Sequence, residues 1–467
     1  MYRKEIEAYL DSHTREMVED IFTLCRINSE RTAPKEGMPY GEGPKKALDA
    51  ALKMAEGYGF AVRNYDNYVG TADLNDKEKQ LDILAHLDVV PAGEGWQETG
   101  PFEPVERDGR LYGRGTADDK GPAVAALYAM RAVKELGIPL KKNVRLIVGT
   151  DEECGSSDIE HYYKIEKEAP MTFSPDAEFP VINVEKGGLA AHFTGSFERS
   201  QEPARLVSLD AGIKINVVPA KAYAAVEGVS LQVMENMAAA VSAETGIRFT
   251  FACEGSLVKI TAEGVNAHAA HPEGGNNALT GLLEYISRLP LGDCQLVRCL
   301  RGVLGLIPHG DLHGKALGID MEDEISGRLT LAFSMLTVTE DRLEGHFDSR
   351  CPICSTKENV LLVVKEKLKS IGLVLHNEAM KPPHHVDGNG VFVQTLLKAY
   401  EDYTGREGKC LYTGGGTYVH ELKNGVAFGA AMPGTDNHMH GADEFAILEE
   451  LVISAKIFAQ VIVDLCS

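Results

Sequence analysis

No apolar stretch in this chain of 467 residues approaches the roughly 18 that a membrane-spanning helix needs. The amino-terminal MYRKEIEAYLDSHTREMVED is charged where a secretion signal is apolar. Basic charge is also scarce. Lys and Arg number 47 against 69 Asp and Glu, a formal charge of -22, and no basic run is long enough to follow a phosphate backbone. These absences exclude a spanning helix and argue against nucleic acid or a membrane surface as partner. Cysteine is sparse and unpaired in pattern: nine residues, an odd number, lie scattered along the chain, and Cys351 and Cys354 form a CxxC with no second pair to complete a zinc ribbon. The expected location is the cytoplasm. A phosphate-binding loop is missing as well, because in GRGTADDKGP (113–122) the third glycine of a GxGxxG pattern falls at Asp118, and no GK[ST] follows.

What is present describes a globular protein, 44% hydrophobic and 25% charged, and too long for a single ordinary core. Apolar residues at helical spacing (Ile6, Leu10, Met17, Ile21, Leu24) predict a helix over 2–25, and a second runs over about 44–58. Residues 59–73 read as strand, turn and strand. LDILAHLDVVP (81–91) then carries His86 and Asp88 to the end of an apolar strand. Positions i and i+2 of an extended chain share a side, which suits a metal-ligating imidazole with a carboxylate behind it.

Three further segments end in ligand-type side chains. GRGTADDKGP places Asp118 and Asp119 before a predicted helix over 122–136; the strand 144–148 runs into Asp151, Glu152 and Glu153; and SPDAEFP places Asp176 after a short apolar segment. Strand, helix, strand implies a right-handed parallel unit, whose loops at the carboxyl ends of the strands form the usual site of an open sheet. From about 187 the texture changes to strands with two helical stretches, 231–245 and 277–289. An inserted α+β domain over 187–381, about 195 residues, is therefore expected within a catalytic domain of 1–186 plus 382–467. A helix over 391–404, a strand over 425–431 and PGTDNHMHGADE with His440 complete the chain.

Carboxylate and imidazole ligands without thiolate suit zinc, manganese or cobalt at a hydrolytic site. His86, Asp118, Glu153, Asp176 and His440 suffice for two ions if one carboxylate bridges. Glu152 is left over as a candidate general base.

HLDVVPAG, GRGTADDKGP, GTDEECG, SPDAEFP, GVNAHAAHPEGG and HGADE together resemble the di-zinc aminoacylase and carboxypeptidase family of metallopeptidases, most closely its peptidase V branch of bacterial dipeptidases, from about residue 40 to the end. The resemblance implies an α/β fold, a zinc-exopeptidase-like mixed sheet flanked by helices with an inserted α+β lid. It implies that His86 and Asp176 hold one metal and Glu153 and His440 the other, with Asp118 bridging and Asp88 orienting His86. It also implies a cis bond between Asp118 and Asp119. Glu152 would take the proton from a water shared by two divalent ions, zinc first among them, and return it to the leaving amine. His268 would donate to the oxyanion, and Asn216 and Arg350 would bind substrate, Arg350 through its terminal carboxylate. A lid of this length resembles one that makes a monomer sufficient.

The function expected is a metal-dependent dipeptidase acting on short peptides with a free N-terminus. An N-acyl amino acid deacylase or desuccinylase of the same family is the first alternative, and a metal-binding protein that has lost catalysis is the second. The neighbours His271 and His438 lie outside the family frame. Cys154 is read as an inert small residue.

Overall fold

Along the central strands, successive apolar side chains face opposite ways, and that alternation sets the architecture. In the computed structural model, which describes residues 2–467, the chain divides into two units: 2–184, 385–412 and 416–467 form the first, and 185–384 with 413–415 the second.

The first unit is built on a mixed sheet. Its strands run in the order Ala61–Tyr65, Val69–Asp73, Asn143–Gly149, Lys79–His86, Met171–Ser174, Gly425–Ala427 and Val181–Glu185. The four from Asn143–Gly149 to Gly425–Ala427 are mutually parallel, and antiparallel strands flank them. Ile83, Ala85, Leu146 and Val148 point into a large core with the helices Arg3–Cys25, Lys120–Glu135, Val391–Thr404 and Leu448–Cys466. Leu84 and Ile147 point the other way, onto Ile159, Tyr162 and Tyr418. The Lys120–Glu135 helix is buried on nearly every side, and its Gly121 and five alanines allow that close approach. The expected strand over 425–431 is two short ones, because the chain turns at Gly429 (φ +74°), where a Cβ would strike the Phe179 ring.

The second unit carries an eight-stranded antiparallel sheet. Its order is Arg248–Glu254, Leu257–Glu263, Lys221–Glu227, Arg205–Ala211, Thr330–Val338, Arg342–Cys351, Gly187–Ser196 and Val374–Leu375. One face packs on helices. Leu189, Ala191, Phe193, Leu343 and Phe347 lie on that side, while Ala190, His192, Glu344 and His346 lie on the other. Four helices, not two, belong here: Leu231–Thr245 and Ala278–Arg288 are joined by Gln295–Leu306 and Leu362–Ser370. Gly302 and Gly305 mask the apolar spacing of Leu296, Leu300 and Val303 in the sequence. Residues 413–415 belong to this unit because Lys186 N donates to the Thr413 carbonyl at 2.9 Å and Arg350 Nη1 to the Gly414 carbonyl at 2.7 Å. Among the described residues, no helix is long and apolar enough to cross a membrane.

Candidate metal centre

Three neighbouring parallel strands of the first unit deliver their carboxyl ends to one edge of the sheet. His86 is the last residue of its strand; Glu152 and Glu153 open a single 3-10 turn after Asn143–Gly149; Asp176 lies two residues beyond Met171–Ser174. Asp118 stands just before the Lys120–Glu135 helix. His440 comes from a late loop, with φ +62°, a left-handed conformation that is uncommon for a residue with a Cβ.

These side chains meet in two groups that share Asp118. His86 Nε2 lies 2.9 Å from Asp118 Oδ1 and 3.6 Å from Asp176 Oδ2. His440 Nε2 lies 2.9 Å from Asp118 Oδ2 and 3.3 Å from Glu153 Oε1. Within each group the ligand-type atoms are all within 4.8 Å of one another. Glu152 belongs to neither. The peptide bond between Asp118 and Asp119 is cis.

The loops are held by side chains that themselves accept backbone N–H groups. Asp119 Oδ2 accepts the His86 N–H at 3.0 Å. Glu444 Oε1 accepts from Gly115, Ala117 and Asp118, at 2.9, 3.1 and 3.3 Å, and its other oxygen pairs with the buried Arg114 guanidinium. Neither Asp119 nor Glu444 was singled out from sequence for this role. The adjacent acids of ADDKG and HGADE were the only trace of it. Asp88 differs from its expected contact. Its backbone carbonyl, not its carboxylate, is nearest to His86 Nδ1 (3.0 Å), while Oδ1 stands 3.5 Å away. The Asp88 carboxylate instead accepts the N–H groups of Glu152 (3.2 Å) and Glu153 (3.1 Å), because the 3-10 turn presents unpaired donors that a carboxylate satisfies better than a second contact to the ring.

The electrostatics call for positive charge. Burial pushes Glu152 well above its ordinary range, and the nearby carboxylates of Asp176, Asp118 and Glu153 push it further. Burial raises Asp176 to about 7, with Asp118 adding to it. Burial opposes ionisation of His86, but the carboxylates of Asp118, Asp176 and Asp88 close to its ring outweigh that and raise it. Asp118 and Glu153 drive His440 up to about 10. Carboxylates crowded in a buried place, with imidazoles forced toward the cationic form, make a lining whose charge a divalent cation would neutralise. Beyond its 3.3 Å ion pair with His440, Glu153 Oε1 is buried without a hydrogen bond, an acceptor that a metal ion would satisfy. The donor set, imidazole nitrogen and carboxylate oxygen, fits divalent zinc, manganese or cobalt.

The neighbouring residues behave differently. His438 packs its ring edge-on against Phe445, and exposed His271 sits 3.5 Å from Glu273. Burial raises the Cys154 thiol, with Asp88 adding to the shift, so it is not an activated thiolate.

His268, Asn216 and Arg350 lie in the second unit and are near one another there. His268 pairs with Val217 across a short two-stranded ladder, and the Asn216 carbonyl accepts the Ala269 N–H at 2.9 Å. The Ala269 carbonyl in turn accepts from Thr330 Oγ1 (3.2 Å), and Thr330 pairs with Arg350 across the large sheet. The guanidinium of Arg350 is held by Asp348, with Nη2 to Oδ2 at 2.7 Å.

Comparison with known proteins gives concordant findings. The sequence pattern described as Peptidase family M20/M25/M40 matches residues 83–464. The chain is 36% identical over 458 residues to the putative dipeptidase YtjP of Bacillus subtilis (strain 168), covering 96% of this chain and 97% of that protein. It is 34% identical over 453 residues to the Beta-Ala-Xaa dipeptidase of Lactobacillus delbrueckii subsp. lactis, covering 96% of each. Among solved structures, human carnosine dipeptidase 1 matches with a TM-score of 0.62 at 15% identity, over 100% of this chain and 99% of that one, a likeness of fold.

Proposed function

Since the chain belongs to peptidase family M20/M25/M40 and is a metallopeptidase, we propose that it is a dipeptidase that hydrolyses the peptide bond of short substrates with a free N-terminus. The observation that carries this reading is the division of Asp118: its two oxygens each stand 2.9 Å from a different imidazole, with Glu152 left outside both groups. His86 and Asp176 would hold one divalent ion, zinc in the first instance, and Glu153 and His440 a second, with Asp118 reaching both. Bound there, the ions supply Lewis acidity toward the scissile carbonyl and make water more acidic.

The protein's own groups account for the proton path. Glu152, raised by burial and by its acidic neighbours, accepts a proton from the attacking water and delivers it to the leaving amine. His440 and His86 complete the cradle, and Asp88, through the N–H groups of Glu152 and Glu153, fixes the turn that aims the base. We assign His268 to donation toward the developing oxyanion and Asn216 and Arg350 to substrate binding, with Arg350 on a terminal carboxylate. The name of the Lactobacillus relative supports small peptides as the substrate class. A cytoplasmic monomer is the accompanying assignment, supported by the charge and cysteine pattern of the sequence and by the length of the insert.

The test is a substrate panel of free dipeptides, a tripeptide and N-acetyl or N-succinyl amino acids. It is run on metal-stripped protein reloaded with zinc or manganese, beside Glu152→Ala. Metal-dependent cleavage of dipeptides, abolished in the variant, is the expected result. Preference for the acylated amino acids would make the protein a deacylase, and two bound metals without turnover of any substrate would make it a binding protein.

A further inference from the structure

The second unit carries a cluster of ligating side chains of its own, on the sheet face turned away from the helices. His192 and His346 stand directly opposite each other on the paired strands Gly187–Ser196 and Arg342–Cys351. Their rings are stacked, 4.5 Å between centroids and 5° from parallel. Glu344 lies two residues before His346 and so shares its side of the strand. Both imidazoles turn the same nitrogen toward the same oxygen: His192 Nε2 lies 3.0 Å and His346 Nε2 3.6 Å from Glu344 Oε1. The three ligand-type atoms all fall within 4.8 Å of one another.

From this convergence we propose that His192, Glu344 and His346 form a binding site for a divalent cation of the zinc class, separate from the Asp118 centre and independent of the dipeptidase assignment. Zinc bonds to nitrogen and oxygen of about 2.0–2.2 Å, arranged tetrahedrally, separate neighbouring ligand atoms by roughly 3.3 Å. The separations of 3.0 and 3.6 Å bracket that value. Because the rings stand 5° from parallel, both must tilt about their side-chain bonds to aim their ring-plane lone pairs at one ion, with the strand register kept. Two imidazoles and a carboxylate prefer zinc, nickel or copper to magnesium or calcium, which take oxygen ligands.

The surroundings keep the rings in place and ready. His376 packs on His192 from just beyond the neighbouring strand, 4.7 Å between centroids, and its Nε2 is bonded to Thr194 Oγ1 at 2.7 Å, so it walls the site without ligating. The His192 N–H donates to Asn377 Oδ1 at 2.8 Å, which fixes the strand at that residue. Burial and the adjacent His192 lower the His346 imidazole, favouring the neutral form that binds metal. Three protein ligands on an open face leave the remaining position for water or a small anion.

The experiment counts zinc. Full-length protein is stripped with a chelator and dialysed against buffered free zinc, and bound metal per chain is measured by mass spectrometry of the digested sample. The wild type is compared with His192→Ala/His346→Ala and with Glu344→Gln, each also in an Asp118→Ala background that disables the other centre. The expected result is one zinc fewer per chain in the double variant, at least tenfold weaker uptake of that zinc in Glu344→Gln, and unchanged dipeptide turnover in both. In the Asp118→Ala background, zinc should raise the melting temperature only while His192 and His346 are present. Equal zinc content in wild type, double variant and Glu344→Gln would overturn the proposal. Should the double variant misfold, Glu344→Gln, which keeps the shape of the side chain, decides the question alone.

Discussion

The cluster around Asp118 and the cluster around Glu344 both set two imidazoles against carboxylate oxygen, but they are assembled from opposite materials. The first is made at the ends of parallel strands, where side chains leave the ladder and depend on loops for their positions. His86 is wholly buried there, and Asp118 nearly so. Asp119, Asp88 and Glu444 each accept N–H groups from the residues that carry or adjoin the cluster. The second lies on one face of an antiparallel sheet, where register aligns its members, His376 and Asn377 hold them from the side, and half of Glu344 is in solvent. A loop-built site depends on a supporting set of polar groups and can bury its charge; a face-built site takes most of its alignment from register and remains wet.

This contrast is broken most severely at Asp118. Asp118→Ala removes the one residue common to both groups, and hydrolysis should fall to background with both ions lost, read as turnover and as metal per chain. Full activity with one ion would show that the shared carboxylate is dispensable. Glu152→Gln should lower kcat by on the order of 10²–10⁴ while leaving metal content intact, and loss of metal in that variant would make Glu152 a ligand instead of a base.

Stability separates the two clusters next. Glu444→Ala leaves Arg114 charged and buried without its partner, together with three backbone donors. It should cost roughly 3–5 kcal/mol, measured by urea unfolding. Chelation should destabilise the first unit by about 2.7 kcal/mol for each ion removed, relative to protein at a free ion concentration 100 times that site's Kd. A melting temperature indifferent to chelator would mean that the loops are held by protein groups alone. The smallest effect is expected on the sheet face: in metal-free protein, His192→Ala should change stability by no more than about 0.5 kcal/mol. A larger loss would show that the stacked rings stabilise the sheet themselves.

The same contrast governs what could be read from the sequence. Four of the side chains now grouped at Asp118 were legible because each follows an apolar strand or precedes a helix, while His440, in a late loop, was marked only by the motif HGADE. Strand ends announce themselves locally. Asp119 and Glu444 were not, since their task is to receive backbone donors, and for Glu444 those donors lie more than 300 residues away along the chain. No periodicity encodes such a pairing. Asp88 shows the limit of i, i+2 reasoning, which gives the shared side but not whether the carboxylate or the carbonyl reaches the ring. The His192 cluster was illegible for a different reason. Glu344 and His346 have visible strand spacing, but His192 joins them only through a ladder that closes over 150 residues, and a shift of one position would turn it to the helix side. Gln295–Leu306 was hidden by its glycines, whose low helix propensity is overridden by packing of Leu296, Leu300 and Val303 in the core.

The short segment Thr413–Gly415 bears on how such a protein can be rebuilt or can diverge. Although it is remote in the chain from 185–384, it gives its carbonyls to Lys186 and Arg350. The insert is thus not a cassette with two ends. A recombination that exchanged only 185–384 between relatives would bring in a new arginine without the loop it was matched to. Viable chimeras should therefore carry both pieces from the same parent, a linkage of ancestry written in three residues.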